Sequence, residues 1–438
     1  MVFARIRGTK NELRLLADST LRLQRKGVRK IGDDLYEVPA VLEEYEVGIL
    51  QSHYYDVVIQ GDVKRVLSER LAATRPAAAS YNSPEQLFYS VETNAGYMDT
   101  DYIESWTTNL ARLYPALCTS LALRNKTWEG RASAAIRLRA ADSAKRPAVL
   151  FTSGVHAAEL GGPDSCIYFL FRLLKAYQAK AAIVLGAKTF SADQVRDILD
   201  NIDIFVFPCV NPDGRVFVQT KNEWWRKNRN PNVGMRATGV DINRNFDFLW
   251  SSGIGSSSTP VSDIYKGSAA FSEPETRNVQ WMLDISSPDF FMDIHGFSGT
   301  LVYVWGDALD QSQDPSMSFR NPTWDGKRNL AYKEYLNAAD SLLVTHVGDR
   351  IVSAANAVNG AQYDSLQSYS ALYPTTATSD DYAFSRHLAA SDQHKTFAYT
   401  LEYRSDEFVS TYAGMQSVID EVNAAMLELC SATVAARQ

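Results

Sequence analysis

The chain has 438 residues, too many for one small core and enough for a large domain with a smaller companion. Its 45% hydrophobic and 22% charged composition predicts a soluble globular protein, and a formal net charge of −7 excludes the basic face that nucleic-acid phosphates require. No run approaches the roughly 18–20 apolar residues of a membrane span; the most apolar stretch, "CIYFLF", is followed at once by Arg172.

The opening residues, "MVFARIRGTKNELRLL", carry charges every few positions and lack the apolar core of a signal peptide, so a cytoplasmic setting is expected. Cys118, Cys166, Cys209 and Cys430 lie far apart without CxxC spacing, and Cys166 and Cys209 sit in apolar runs as small core residues do. Up to about residue 75, strand-like runs ("VFARIR", "YYDVVIQG") alternate with helical patterns ("NELRLLADSTLRL", "DVKRVLSERLA"). This reads as a small α+β unit with no constellation of catalytic residue types. "AATRPAAASYNSPEQ" then breaks the pattern with Pro, Ala and Ser and reads as a linker, which divides the chain into 1–78 and 79–438.

In the larger part "TDYIESWTTNLARLY" is amphipathic at helical spacing, and "RPAVLFTSGV" is a continuous apolar run of the kind found in strands covered on both faces. "PDSCIYFLFRLLKAY" predicts a helix with proline in its first turn, and "IDIFVFPCVNPDG" another buried strand ending in a turn. "SEPETRNVQWMLDI" opens with the spacing of a capping box, Ser272 to Glu275. "DFFMDIHG" and "KTFAYTLEYR" predict strands, "TYAGMQSVIDEVNAAMLEL" a closing helix, and "SSGIGSSSTP" a flexible loop with no further role. Strands alternating with helices imply an α/β fold: a mixed, mostly parallel twisted sheet with helices on both faces. Ligand sites of such sheets lie beyond the carboxyl ends of the strands, where His156, Asn211 to Gly214, His295 and Glu402 all fall.

His156 by itself would be an ordinary hydrogen-bonded residue, and its HxxE pairing with Glu159 recurs by chance. A second histidine at another strand end, His295 in "FMDIHGFSG", completes a three-ligand His₂Glu set that suits zinc and leaves a position open for water. The helical HExxH motif is absent, and Gly161-Gly162-Pro163 follows at once, so His156 and Glu159 are expected on a loop. Asp241, in "GVDINRNF", is the candidate carboxylate for the outer nitrogen of His156, or else a plain turn aspartate.

The ordered set "HAAE", "NPDGR", "WWRKNRNP", "GVDINRNF", "DIHGFSG", "YPTTATSDDY" and "TLEYRSD" resembles the pancreatic-type zinc carboxypeptidases, the carboxypeptidase A/B family, over roughly residues 97 to 430. The resemblance implies one zinc per chain held by His156, Glu159 and His295 and peptide or protein C-termini as substrates; the charge and the lack of a long apolar run, as above, lead us to expect neither nucleic acid nor membrane as partner. Zinc would polarise the scissile carbonyl and lower the pKa of water towards about 7. Glu402 matches the family's catalytic carboxylate, which takes a proton from water and returns it to the leaving amine. Arg226 matches the arginine that steadies the oxyanion. Asn243 and Arg244 match the pair that grips the substrate's terminal carboxylate, Tyr373 the tyrosine that closes over it. Arg229 and Arg236 read as solvated charges.

Asp380 falls where the family has the residue at the base of its side-chain pocket, and an aspartate there implies a C-terminal lysine or arginine. A partly buried carboxylate needs a counter-charge, and Gly306 leaves room in the same pocket. The plainer alternative is that Asp380 caps a turn with Asp381 or pairs with Arg328.

The sequence departs from the family at Ala158 and Phe297, where an arginine and a tyrosine are usual, and both put the outer subsites in question. Residues 306 to 332 are longer than the usual connection and are expected to run over the surface. Relatives of mammalian type carry an inhibitory prosegment where residues 1–78 stand; a shorter unit without an obvious basic cleavage loop is expected to be accessory or oligomerising instead. A cell-wall carboxypeptidase acting on diaminopimelate stems and a non-catalytic peptide binder remain as alternatives.

Overall fold

The computed structural model describes every residue except 17, 18, 20, 25–27, 75–80, 141–145, 235, 236, 329, 330, 372, 406, 437 and 438. The expected boundary at 78 and the reading of Arg236 therefore lie outside the described residues.

The N-terminal unit is built from β1 (Val2–Gly8), α1 (Lys10–Leu15), β2 (Arg22–Leu23), β3 (Arg29–Gly32), β4 (Leu35–Leu42), α2 (Glu44–Ser52), β5 (Asp56–Asp62) and α3 (Val63–Leu71). Its antiparallel sheet runs β2-β4-β1-β5, with β3 also on β4. Ala4, Ile6, Val38, Ala40, Leu42, Val47 and Leu50 form a small core of their own. The helix expected over 11–23 stops at Leu15, because Arg22 and Leu23 pair instead with Val41 and Ala40 on β4. Tertiary pairing overrides a local helical pattern. β4 escaped the sequence reading because Pro39 interrupts an otherwise strand-like run.

The larger part continues with α4 (Pro84–Glu92), α5 (Thr100–Leu113), β6 (Cys118–Ala122), β7 (Ala134–Leu138), β8 (Ala148–Ser153), α6 (Gly161–Ala179), the hairpin β9 (Ile183–Leu185) and β10 (Lys188–Phe190), α7 (Ala192–Asn201) and β11 (Asp203–Phe207). Then come α8 (Pro212–Lys221), α9 (Pro274–Ser286), β12 (Phe290–Phe297), β13 (Thr300–Tyr303), β14 (Asp310–Ser312), β15 (Lys333–Tyr335), α10 (Ala338–Asn359), β16 (Asp364–Gln367), α11 (Ser379–Ala389), β17 (Phe397–Arg404) and α12 (Tyr412–Ala435). Eight strands form one sheet in the order β16-β13-β17-β12-β8-β11-β7-β6. Four of its pairings are parallel and three antiparallel, the mixed, mostly parallel sheet expected. Every residue of β8 and β11 is buried, which accounts for their unbroken apolar runs. Helices α6, α10 and α12 pack together against the sheet, while α9 and α11 pack on its central strands separately. Among the described residues no helix is long and apolar enough to cross a membrane. All four cysteines are free and buried.

Two local expectations are corrected and a third holds with one addition. Gly161 and Gly162 open α6 rather than closing a loop: a Cβ on Gly161 would come within 2.4 Å of Met415, and one on Gly162 within 3.2 Å of Ile294 O. The helix starts with glycines so that it can lie against the strand ends. At α9 the N-cap is Glu273 with no capping side-chain bond, and Ser272 Oγ donates to Glu273 instead of forming the expected box. The described part of 306–332 does run largely over the surface, but Phe319 is anchored edge-on against Phe248 and tilted against Trp305.

Candidate active site

The site begins where β8 ends. Gly154 takes a positive φ of 66°, and a Cβ there would sit 2.9 Å from Pro163, so the chain turns tightly into the loop that carries His156 and Glu159. Asn211 braces that loop: its Nδ2 donates to Val155 O and to Lys227 O, and its Oδ1 caps α8 through Gly214 N. The third group arrives on β12, whose His295 is in parallel register with Glu402 on β17, so two strand ends present their polar side chains side by side.

His156, Glu159 and His295 are all buried, and one ligand atom from each lies within 4.8 Å of the others. His156 Nδ1 is 2.7 Å from Glu159 Oε1, His295 Nδ1 is 3.0 Å from Glu159 Oε2, and the two Nδ1 atoms are 3.0 Å apart. The outer nitrogens face acids. His156 Nε2 lies 3.3 Å from Asp241 Oδ1, as expected, and His295 Nε2 lies 3.0 Å from Asp293 Oδ2. Asp293 was legible but overlooked: it stands two residues before His295 on one strand, and that spacing puts both on one face.

This arrangement fits a divalent cation. With both outer nitrogens turned to carboxylates, the inner Nδ1 lone pairs and Glu159 converge on one point, a contact that is repulsive unless something positive sits there. Burial opposes the imidazolium of His295, yet Asp293 and Glu159 outweigh it and push its pKa up to about 10. Burial likewise pushes Glu159 up, but His156 and His295 hold it well below the usual carboxylate range. Metal binding to such a set releases the proton it displaces.

Arg226 is tied to the second acid of this ring, its Nε and Nη2 lying 3.1 and 3.0 Å from Asp241 Oδ2. Burial works against both charges, but Arg226 keeps Asp241 well below the usual carboxylate range, and Asp241 with Glu159 raises Arg226 further. Arg244 is fully buried; its Nε donates to Gly255 O, its Nη1 to Asn243 O, and its Nη2 lies 3.5 Å from the Tyr373 hydroxyl. The 251–260 loop is thus part of the site, since it supplies Gly255 to Arg244 and, through Pro260 O, a partner for Lys227 Nζ. Asn243 Oδ1 accepts from Ser379 N at 2.9 Å, while its buried Nδ2 has no hydrogen-bond partner among the described residues.

Asp380 is buried in the first turn of α11. Among the described residues Arg328 pairs instead with Asp307 and Asp325, and it is the neighbouring Asp381 that takes the Gly306 N–H. Among the described residues no ion pair reaches Asp380. Arg229, expected to be solvated, lies instead over the rings of Phe217 and Trp225, at 3.9 and 4.6 Å from their centres.

His156, Glu159, Arg226, Tyr373 and Glu402 line one cleft with Gly296 and Phe297. Its other wall comes from the N-terminal unit: Ser19, Leu21, Arg22, Leu23 and Gln24, with Arg22 Nε 4.0 Å from Asp263 Oδ2 on the catalytic side. What remains open is about 40 Å³. That is room for one or a few waters and not for an amino-acid side chain.

Fold and site together define an α/β protein with a metal-competent His-Glu-His group at its strand ends, facing a cleft lined by arginine and glutamate. Residues 103–425 match the family model described as zinc carboxypeptidase. Human carboxypeptidase B is 29% identical over 310 residues, 70% of this chain and 63% of its own length. Carboxypeptidase B of Astacus astacus is 30% identical over 311 residues, covering 70% of this chain and 86% of that protein. The crystal structure of thrombin activatable fibrinolysis inhibitor superposes with a TM-score of 0.74 and 18% identity, covering 99% of both chains. The chain belongs to the zinc carboxypeptidase family, and zinc is the metal its His-Glu-His group suits.

Proposed function

We propose that the protein is a metallocarboxypeptidase that removes one residue from a peptide's C-terminus, with preference for lysine or arginine, and that residues 1–78 mask its cleft. The observation that carries the exopeptidase reading is the Asn243–Arg244 pair. A buried amide donor with no partner among the described residues stands beside a buried guanidinium, and a free carboxylate satisfies both. Along a peptide's main chain only the C-terminal end offers one.

In this reading His156, Glu159 and His295 hold the metal, with Asp241 and Asp293 fixing the two imidazoles. Zinc, when bound, supplies Lewis acidity that polarises the scissile carbonyl and acidifies water. Glu402, beside His295 on the adjoining strand, takes the water's proton and passes it to the leaving nitrogen. Arg226, held by Asp241, presents its remaining N–H groups to the oxygen that gains charge. Tyr373, already within 3.5 Å of Arg244, closes the carboxylate end from solvent. Asp380 supports the basic preference: it is a buried carboxylate to which no ion pair is made among the described residues, and an incoming ammonium or guanidinium supplies the missing charge.

The masking reading reverses the sequence-based preference for an accessory domain. It is supported by Ser19 and by Leu21 to Gln24, which wall the cleft, and by the small space they leave. Free amino acids released from peptides ending in Lys, Arg, Phe, Leu or diaminopimelate test the whole proposal, before and after brief trypsin treatment, with and without chelator. Chelator-sensitive release of Lys and Arg that rises after trypsin is expected. No release from any peptide, or release indifferent to chelator, overturns it.

A further inference from the structure

Behind the cleft lies a second buried charge cluster that none of the roles above uses. Arg226 and Asp241 stand on two segments that run side by side. Asn228 N donates to Val240 O at 3.0 Å, and Gly239 N donates to Asn230 O at 2.8 Å. A Cβ on Gly239 would meet Asn228 O at 2.2 Å, so the two backbones approach as closely as glycine permits. The Arg226 carbonyl in turn accepts from Ala157 N, between the two metal-site residues of the β8 loop. Whatever fixes these segments fixes the guanidinium, the acid that orients His156, and the His156 loop together.

Asn228 occupies that position. It is fully buried, and its side chain is saturated. Oδ1 accepts from Val240 N at 2.8 Å and from Asn230 N at 3.3 Å, while Nδ2 donates to Glu273 at 2.8 Å and to Glu275 at 2.9 Å, both at the start of α9. Glu273 receives donors throughout: Trp128 Nε1, Asn228 Nδ2, Asn230 Nδ2 and Ser272 Oγ. Both of its oxygens are thus engaged as acceptors. Glu275 differs. Burial pushes its carboxyl up to about 8, so it carries a proton at neutral pH. Neither glutamate nor Asn228 lines the cleft.

We propose that Asn228, anchored by Glu273 at the N-terminus of α9, is a positioning residue that sets the bearing of Arg226 and Asp241. The proposal rests on the reading that Arg226 steadies the oxyanion, and it assigns to the α9 anchor the job of holding that arginine still. Three variants of the full chain separate positioning from simple support. Asn228→Ala removes the clamp. Glu273→Gln keeps shape but turns an NH₂ towards a cage of donors. Glu275→Gln, equally buried, replaces a neutral carboxyl by a neutral amide and serves as the control.

Each variant is loaded with cobalt(II) as a stand-in for zinc, and its visible spectrum reports the ligand field that Asp241 tunes through His156. Peptide turnover is measured on the same samples after brief trypsin treatment. The spectrum should shift in Asn228→Ala and Glu273→Gln and superpose on the parent's in Glu275→Gln. The value of kcat should fall about ten- to hundredfold in the first two, with KM changed about twofold or less. If both variants keep the parent's spectrum and kcat while only their melting temperature falls, Asn228 merely supports the fold and the proposal is overturned. Equal losses in Glu273→Gln and Glu275→Gln overturn it as well. Should Asn228→Ala not fold, Glu273→Gln decides alone. A parent without turnover would overturn the peptidase reading, and the spectra would still decide this one.

Discussion

In the N-terminal unit three arginines surround one acid: Arg5, Arg7 and Arg29 lie 2.9, 3.1 and 2.5 Å from the buried Glu37. On the cleft floor the ratio is reversed, with Glu159, Asp241, Asp293 and Glu402 gathered around two imidazoles and Arg226. Burial works against charge in both places. In the first the arginines prevail and hold Glu37 below the usual glutamate value near 4.5. In the second Asp293 and Glu159 overcome burial and push the pKa of His295 up to about 10. The first cluster is satisfied from within and holds a small sheet together. The second is short of positive charge, and a group that comes from outside the chain must supply it. A metal ion suits that need at the strand ends, and under the proposed basic preference a substrate side chain would meet it again at Asp380.

The largest effect is expected at the reacting end of the charge-poor region. Glu402→Gln should keep its metal and its fold while kcat falls on the order of 10²–10⁴-fold, because a proton acceptor is lost. Stopped assays beside metal analysis check both halves of that statement. Asp380→Ile should cut kcat/KM for arginine-ended peptides on the order of 10²-fold relative to phenylalanine-ended ones, as removing one partner of a buried ion pair does. An unchanged ranking would remove Asp380 from the pocket.

The cation-rich cluster predicts a smaller, structural effect. Glu37→Gln leaves three arginines around a neutral amide and should cost the N-terminal unit about 2–3 kcal/mol, read as faster amide exchange in β1 and β4. Acid should act in the same direction. Because the folded pKa of Glu37 is depressed, its stabilisation is complete above about pH 4.5 and fades as pH falls through the lower folded value. Amide exchange in β1 compared at pH 6 and pH 3 checks the sign. The smallest change is expected at Tyr373→Phe, where losing a hydroxyl 3.5 Å from Arg244 should raise KM a few-fold and leave kcat nearly unaltered.

Much of the site was legible because its residues sit at the ends of strands whose apolar runs are unmistakable. β8 and β12 announce themselves, and the polar residue after each run is then conspicuous. What escaped the sequence depends on contacts between distant segments. Asp293 belongs to a strand already read, yet it looks like one more buried residue until His295 is beside it. Asn228 and Glu273 are 45 residues apart and meet only because α9 docks behind the cleft. The 251–260 loop reads as low-information Ser and Gly, and its role lies in backbone carbonyls that no side-chain pattern advertises. In the N-terminal unit a helix was extended too far at Leu15 because β4 supplies a pairing edge from a segment that Pro39 disguised.

Zinc at His156, Glu159 and His295 is expected to meet the cleft's deficit of positive charge. Metal analysis of the parent and of His295→Ala, after exhaustive washing in metal-free buffer, tests it most directly. The parent should retain about one zinc per chain and His295→Ala close to none, since two remaining ligands do not hold the ion. Zinc retained as tightly and in the same amount by His295→Ala would contradict the account.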